Sequence, residues 1–180
     1  MAAGPEDLQV RELILGGVRS GKSRLAEARA AASGCEVVYV ATAEARDEGM
    51  RQRIRAHRER RPAGWRTIEA DQRLATLLRT EAAPGRCLLV ECLTLWLARL
   101  IEAPRQLHAE TEALAYAVPR LPGELILVSN EVGLGVIPAG ELSRHFVDQA
   151  GVLHQRLAGC CDRVTLVAAG LPMTLKGTLP

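Results

Sequence analysis

Lysine and aromatic residues are scarce in this chain. Of 23 basic residues among 180, only Lys22 and Lys176 are lysines, and two Trp, two Tyr and one Phe make up the aromatic complement. The formal net charge is +2, so the large basic excess that a general nucleic-acid binder needs is missing. Continuous apolar stretches stop at about eight residues, far short of the roughly twenty that a membrane span requires. The opening MAAGPEDLQVRE carries Glu6, Asp7 and Glu12 and lacks the apolar core of a signal peptide. Five cysteines, an odd number with no CxxC pair, argue against both a disulfide framework and a zinc site. Free thiols in a reducing cytoplasm are expected. What is present is ordinary globular material: 48% apolar and 24% charged residues, which excludes wholesale disorder, at a length that suits one domain. With so few lysines, the position of each is informative.

Five apolar runs read as strands: Glu12 to Gly17, Glu36 to Thr42, Cys87 to Leu93, Glu124 to Asn130 and Arg163 to Ala168. Each is continuous rather than alternating, the pattern of strands buried on both faces of a parallel sheet. Trp65 to Glu69 is a candidate sixth. Helical patterns lie between them, over Ser23 to Ala32, Arg46 to Arg60, around Leu74, Leu77 and Leu78, over Leu93 to Ile101, and over Leu107 to Val118. The longest, Glu141 to Gly159, sets Leu142, Phe146, Ala150, Leu153 and Leu157 on one stripe. Strands alternating with helices predict an α/β fold with a mainly parallel sheet flanked by helices. Residues 1–10 read as a loose, disordered tail and 11–180 as a single domain.

The strongest motif is Gly16-Gly17-Val18-Arg19-Ser20-Gly21-Lys22-Ser23, which fits GxxxxGK[ST] between the strand ELIL and an Ala-rich helix. Gly16 and Gly21 permit backbone shapes and approaches that a Cβ would prevent. Successive N–H groups then form an anion nest, and the helix adds its positive end. Lys22 is placed to reach the β- and γ-phosphates and Ser23 to ligate Mg²⁺. The P-loop implies nucleoside triphosphate binding without saying what becomes of the phosphate. Glu91 ends an apolar strand in the Walker B layout, where it would hold the metal or orient a water. Glu131 ends another strand. It reads either as a substrate or metal contact or as a solvated acid in a turn.

From Arg46 to Arg66 there are eight arginines against three acids, the densest positive charge in the molecule. Such a run is either a solvated helix face or a set of guanidinium forks for phosphate oxygens. His57 shares a helical face with Met50 and Ile54. It is either structural or a nucleophile in an Arg-lined pocket, where guanidinium charge keeps the imidazole neutral.

These strings together resemble the bifunctional adenosylcobinamide kinase / adenosylcobinamide-phosphate guanylyltransferase family. The marks are GGVRSGKS at Gly16 to Ser23, YVATA at Tyr39 to Ala43, MRQRIRAHRERRPAGWRTIE at Met50 to Glu69, ECLTLW at Glu91 to Trp96, SNEVGLGVIP at Ser129 to Pro138, and RHFVDQAGVLHQRLA at Arg144 to Ala158. The resemblance implies a P-loop, RecA-like domain and two reactions. ATP or GTP phosphorylates adenosylcobinamide, and GMP then passes from GTP through a guanylyl-histidine, at His57, to adenosylcobinamide phosphate. Adenosylcobinamide-GDP and pyrophosphate are the products. It places nucleotide contacts on Gly16, Gly17, Val18, Arg19, Ser20, Gly21, Lys22 and Ser23, on Ala41, Thr42 and Ala43, on Arg58, Glu59, Arg60 and Arg61, and on Glu69 and Glu91. Mg²⁺ is implied at Ser23 and Glu91, and a homotrimer is expected. Members often carry Asp where this chain has Glu91. Sparse aromatics favour aliphatic and arginine contacts to the corrin. Other readings of the P-loop are a different small-molecule kinase and a nucleotide-dependent switch.

Overall fold

In the computed structural model residues 9–44 and 48–178 are described, with the side chains at 50, 53, 56, 57 and 60 left outside that description. The expected tail lies outside the described residues from 1 to 8. Its last residue, Val10, accepts a hydrogen bond from the Leu125 amide at 3.0 Å.

Seven strands form one sheet: β1 (Arg11–Gly16), β2 (Glu36–Ala41), β3 (Arg66–Glu69), β4 (Arg86–Glu91), β5 (Glu124–Asn130), β6 (Arg163–Ala168) and β7 (Leu171–Lys176). Their order is β3-β2-β4-β5-β1-β6-β7. All neighbours are parallel except β6 and β7. Among the described residues the α-helices are α1 (Lys22–Ala32), α2 (Glu48–Arg60), α3 (Leu74–Glu81), α4 (Leu93–Ile101), α5 (Pro104–Ala117) and α6 (Glu141–Cys160). This is the α/β arrangement expected from the continuous apolar runs, and all six candidate strands are present.

Both faces of the parallel strands are buried, which is why their sequences do not alternate. On one face Leu13, Val38, Leu88, Val90, Leu125 and Leu127 meet α3 to α6, through Leu74, Leu78, Trp96, Leu97, Leu114 and Leu153. On the other, Ile14, Tyr39, Leu89, Ile126 and Val128 meet Ala26 and Ala30 of α1. Small side chains on α1 let its axis lie close to the sheet, bringing its N-terminus down to the strand ends. Trp96 is fully buried and its indole N–H donates to the Gln72 carbonyl at 2.9 Å.

Two features depart from expectation. The apolar stripe of α6 does not begin at Leu142, which is 69% exposed; the buried residues are Ala150, Leu153, His154 and Leu157. A 20-residue helix runs ~30 Å while a six-residue strand runs ~20 Å, so the first turns overhang the sheet. The seventh strand, β7, is not among the strands expected from the apolar runs. It pairs with β6 through a two-residue turn, Ala169-Gly170, with φ of 52° and 82° at the two positions. Positive φ at both is the backbone shape whose twist suits a hairpin, here without the Asn-Gly or Asp-Gly that signals it.

Lys176, on β7, donates to the Ala158 and Gly159 carbonyls at 2.9 and 3.2 Å and caps the end of α6. Among the described residues no helix is long and apolar enough to cross a membrane.

Candidate active site

Helix α1 leaves β1 on one face and α6 follows β5 on the other, so a crevice opens at the carboxyl ends of these two adjacent strands, where such sheets bind ligands. The loop of residues 16–23 fills that position. A Cβ on Gly16 would lie 2.6 Å from the Val167 carbonyl oxygen, so only glycine fits. Gly21 has φ +100° and abuts Gly170, and Arg19 is also left-handed, at φ 58°. The Ser20 amide donates to the Gly17 carbonyl at 3.2 Å, and the Gly170 amide donates to the Ser20 carbonyl at 2.8 Å. The β6–β7 turn thus buttresses the loop. The first turn of α1 has no side-chain cap, which leaves its amides for an anion. Val18 is exposed and Ser20 is buried.

Lys22 is buried, and its Nζ donates to the Gly17 carbonyl at 3.0 Å. Burial lowers its pKa, against opposing pulls from Cys92 and Glu91. The Ser23 hydroxyl bonds to Glu91 Oε1 across the gap between α1 and β4. Glu91 Oε2 accepts the Tyr39 hydroxyl at 3.3 Å. Tyr39 is 2% exposed; burial first, then Glu91, pushes its pKa up, with Arg61 opposing, so it stays a donor.

Pairing register sets the other candidates in a row. Ala41 lies opposite Glu69 on one side and Glu91 on the other, so the three share one level and one face. Thr42 is fully buried, with its amide tied to Glu91 of β4 and its hydroxyl to Cys92 just beyond that strand. Arg99 donates to the Ala70 carbonyl at 2.8 Å and to the Thr42 carbonyl at 3.4 Å, and pairs with Glu44 at 2.9 Å, fixing the ends of β2 and β3 around Ala43.

The C-terminal end of α2 lies against the same face. Arg58 pairs with Glu69 at 3.1 Å, and both are exposed, as is Glu59. The Arg61 guanidinium lies 3.4 Å from the centroid of the Tyr39 ring and donates to Thr67 Oγ1 at 3.2 Å. Residue 57 is on this helix. The side chains of His57 and Arg60 lie outside the described residues.

Beside the loop, the Glu131 amide donates to the Gly16 carbonyl at 3.0 Å, and Glu131 Oε1 accepts the Gly133 amide at 2.6 Å. His154 is buried behind it. Its Nε2 is 2.8 Å from Ser129 Oγ, and its Nδ1 is 3.7 Å from Glu131 Oε2. Burial lowers the His154 pKa more than Glu131 raises it. Asn130 donates to Thr94 Oγ1 at 2.8 Å. Tyr39, Thr94, Arg99 and His154 were not singled out from sequence. Tyr39, Thr94 and His154 do lie within the strings YVATA, ECLTLW and RHFVDQAGVLHQRLA, and Arg99 lies in none of them.

A family model described as "Cobinamide kinase / cobinamide phosphate guanyltransferase" matches residues 12–175. The chain is 61% identical over 170 residues to the "Bifunctional adenosylcobalamin biosynthesis protein CobP" of Pseudomonas aeruginosa, covering 93% of this chain and 98% of that protein. It is 39% identical over 179 residues to the "Bifunctional adenosylcobalamin biosynthesis protein CobU" of Salmonella typhimurium, covering 91% and 98%. Among solved structures it resembles an ATPase of a bacterial type III secretion system, with TM-score 0.55 and 11% identity over 92% of this chain and 56% of that one. A Pyrococcus horikoshii protein has TM-score 0.55 and 10% identity over 96% and 89%. At these identities the likeness is one of fold alone.

Proposed function

The chain belongs to the cobinamide kinase / cobinamide phosphate guanyltransferase family, and we propose that its single phosphate loop serves both reactions of a bifunctional transferase in cobalamin synthesis. In the first, the hydroxyl oxygen of adenosylcobinamide attacks the γ-phosphorus of ATP or GTP. The bond to the β–γ bridging oxygen breaks and the nucleoside diphosphate leaves. In the second, a nitrogen of His57 attacks the α-phosphorus of GTP and pyrophosphate leaves. A phosphate oxygen of adenosylcobinamide phosphate then displaces the histidine, breaking the P–N bond and giving adenosylcobinamide-GDP. A covalent intermediate divides one hard transfer into two easier ones.

The observation that carries this reading is the row on the α1 face. Lys22 and Ser23, Glu91, Ala41 and Glu69 lie along it, and Arg58 of the helix bearing residue 57 and Arg61, just past its end, reach it. Residues 16–23 and Lys22 would cradle the triphosphate, Ala41 to Ala43 and Glu69 would meet the nucleoside side, and Arg58 to Arg61 would hold charge on the α-phosphoryl oxygens. Ser23 Oγ and Glu91 Oε1 are hard oxygen donors in contact beside the loop. That fits Mg²⁺, which is usually held by one or two protein oxygens plus substrate phosphates. When bound, Mg²⁺ neutralises charge that develops on the phosphates.

Residues 11–180 then act as one catalytic domain in the cytoplasm, where the five free cysteines stay reduced. Exposed Leu171, Met173 and Leu175 on edge strand β7 support a homo-oligomer, a trimer by resemblance.

Incubation with GTP labelled on the α-phosphate and Mg²⁺, followed by denaturation, tests the reading. Acid-labile, alkali-stable label on the protein that is lost in His57→Ala is expected. No covalent label on the unmodified chain would sink the histidine mechanism.

A further inference from the structure

The Tyr39 side chain joins two parts of the site that the sequence keeps apart. Its hydroxyl donates to Glu91 Oε2 at 3.3 Å, and its ring carries the Arg61 guanidinium at 3.4 Å. Glu91 is then a carboxylate with its oxygens held differently, Oε1 towards Ser23 and Oε2 towards the phenol. The last torsion of a glutamate is broad and nearly two-fold, so a carboxylate needs a partner on one oxygen to hold the other in a set direction. Glutamate in place of a shorter acid makes that need greater, because it adds one more rotatable bond. On the other side, a planar guanidinium lies flat on an aromatic face in a way that an ammonium does not. Thr67 Oγ1 accepts a further Arg61 hydrogen bond at 3.2 Å, fixing the guanidinium over the ring.

We propose that Tyr39 is a positioning residue that sets the Glu91 carboxylate against Ser23 and seats Arg61 at the end of α2. One buried side chain thereby aligns the metal-side acid with the helix that bears residue 57. The proposal rests on reading Ser23 and Glu91 as the Mg²⁺-side pair and goes beyond it by naming what orients that pair.

Two variants separate the two contacts. Tyr39→Phe removes the hydroxyl and keeps the ring, and Tyr39→Leu removes both. The Mg²⁺ concentration for half-maximal binding of a fluorescent GTP analogue should rise about three- to tenfold in Tyr39→Phe, the loss expected for one hydrogen bond. Its binding of the analogue without Mg²⁺ should be unchanged, and excess Mg²⁺ should restore it. Tyr39→Leu should in addition lower the yield of α-phosphate label on the protein at saturating Mg²⁺. An unchanged Mg²⁺ requirement in Tyr39→Phe overturns the proposal, as does labelling in a folded Tyr39→Leu equal to that of Tyr39→Phe. Glu91→Gln distinguishes the premise from the inference. If Glu91→Gln leaves the Mg²⁺ requirement unchanged, the metal-side reading fails and takes the proposal with it. A shift in Glu91→Gln with none in Tyr39→Phe overturns the role of Tyr39 alone.

Discussion

Thr42 and Cys92 exchange two hydrogen bonds through one oxygen. The Thr42 hydroxyl donates to the Cys92 carbonyl at 2.8 Å and accepts the Cys92 amide at 2.6 Å. Both residues are buried, at 0% and 6% exposure, just beyond the ends of β2 and β4. Thr42→Val keeps the shape and takes the partner from the Cys92 amide, while the Cys92 carbonyl still accepts the Leu95 and Trp96 amides. A loss of about 1–3 kcal/mol is expected. Urea unfolding measures it, and Thr42→Ser, which keeps the hydroxyl, should recover most of it.

Gly16 and Gly17 are adjacent in sequence and differ in tolerance. Gly16→Ala puts a methyl against the Val167 carbonyl, whereas a Cβ on Gly17 meets nothing within 4 Å. Thermal denaturation should show Gly16→Ala destabilised by about 1–3 kcal/mol, the range for overpacking, and Gly17→Ala near the unmodified chain. Equal melting temperatures would show that the loop relaxes freely.

Lys22→Ala removes a charged donor from the loop. Hydrogen bonds to charged groups contribute about 1.5–3 kcal/mol, so GTP should bind about ten- to hundredfold more weakly. Titration calorimetry decides this, and unchanged affinity would remove Lys22 from the site.

His154 makes stability depend on pH. Burial holds its folded pKa below the ordinary 6.5. Above pH 6.5 the ring is neutral in both states and contributes nothing. As pH falls below 6.5, the unfolded chain takes up a proton that the folded one refuses, so stability drops towards the folded pKa. The urea midpoint of the unmodified chain should therefore fall more between pH 7.5 and 5 than that of His154→Gln. Parallel curves would mean that the imidazole titrates alike in both states.

Much of the fold was legible because the parallel strands are buried on two faces and their apolar runs are continuous. The phosphate loop was legible because glycines, lysine and serine stand at fixed spacing between a strand and a helix. β7 was not. It lies at the edge, all its residues are exposed, Pro172 interrupts it, and its turn is Ala169-Gly170. Nor does local sequence reveal that Tyr39 touches both Glu91 and Arg61, since these meet only through pairing in the sheet. His154 gives no local signal for the same reason. It lies on α6, and its partners Ser129 and Glu131 lie on and just beyond β5, 25 and 23 positions away.

Two lysines leave the chain with two side-chain amines. One lies inside the phosphate loop with its pKa lowered by burial, and the other is spent on the carbonyls that end α6. An acylating reagent applied with and without nucleotide, its products mapped by peptide mass spectrometry, would thus read occupancy of the loop at Lys22 with exposed Lys176 as the internal reference. Here the near-absence of a common amino acid serves as a built-in chemical label.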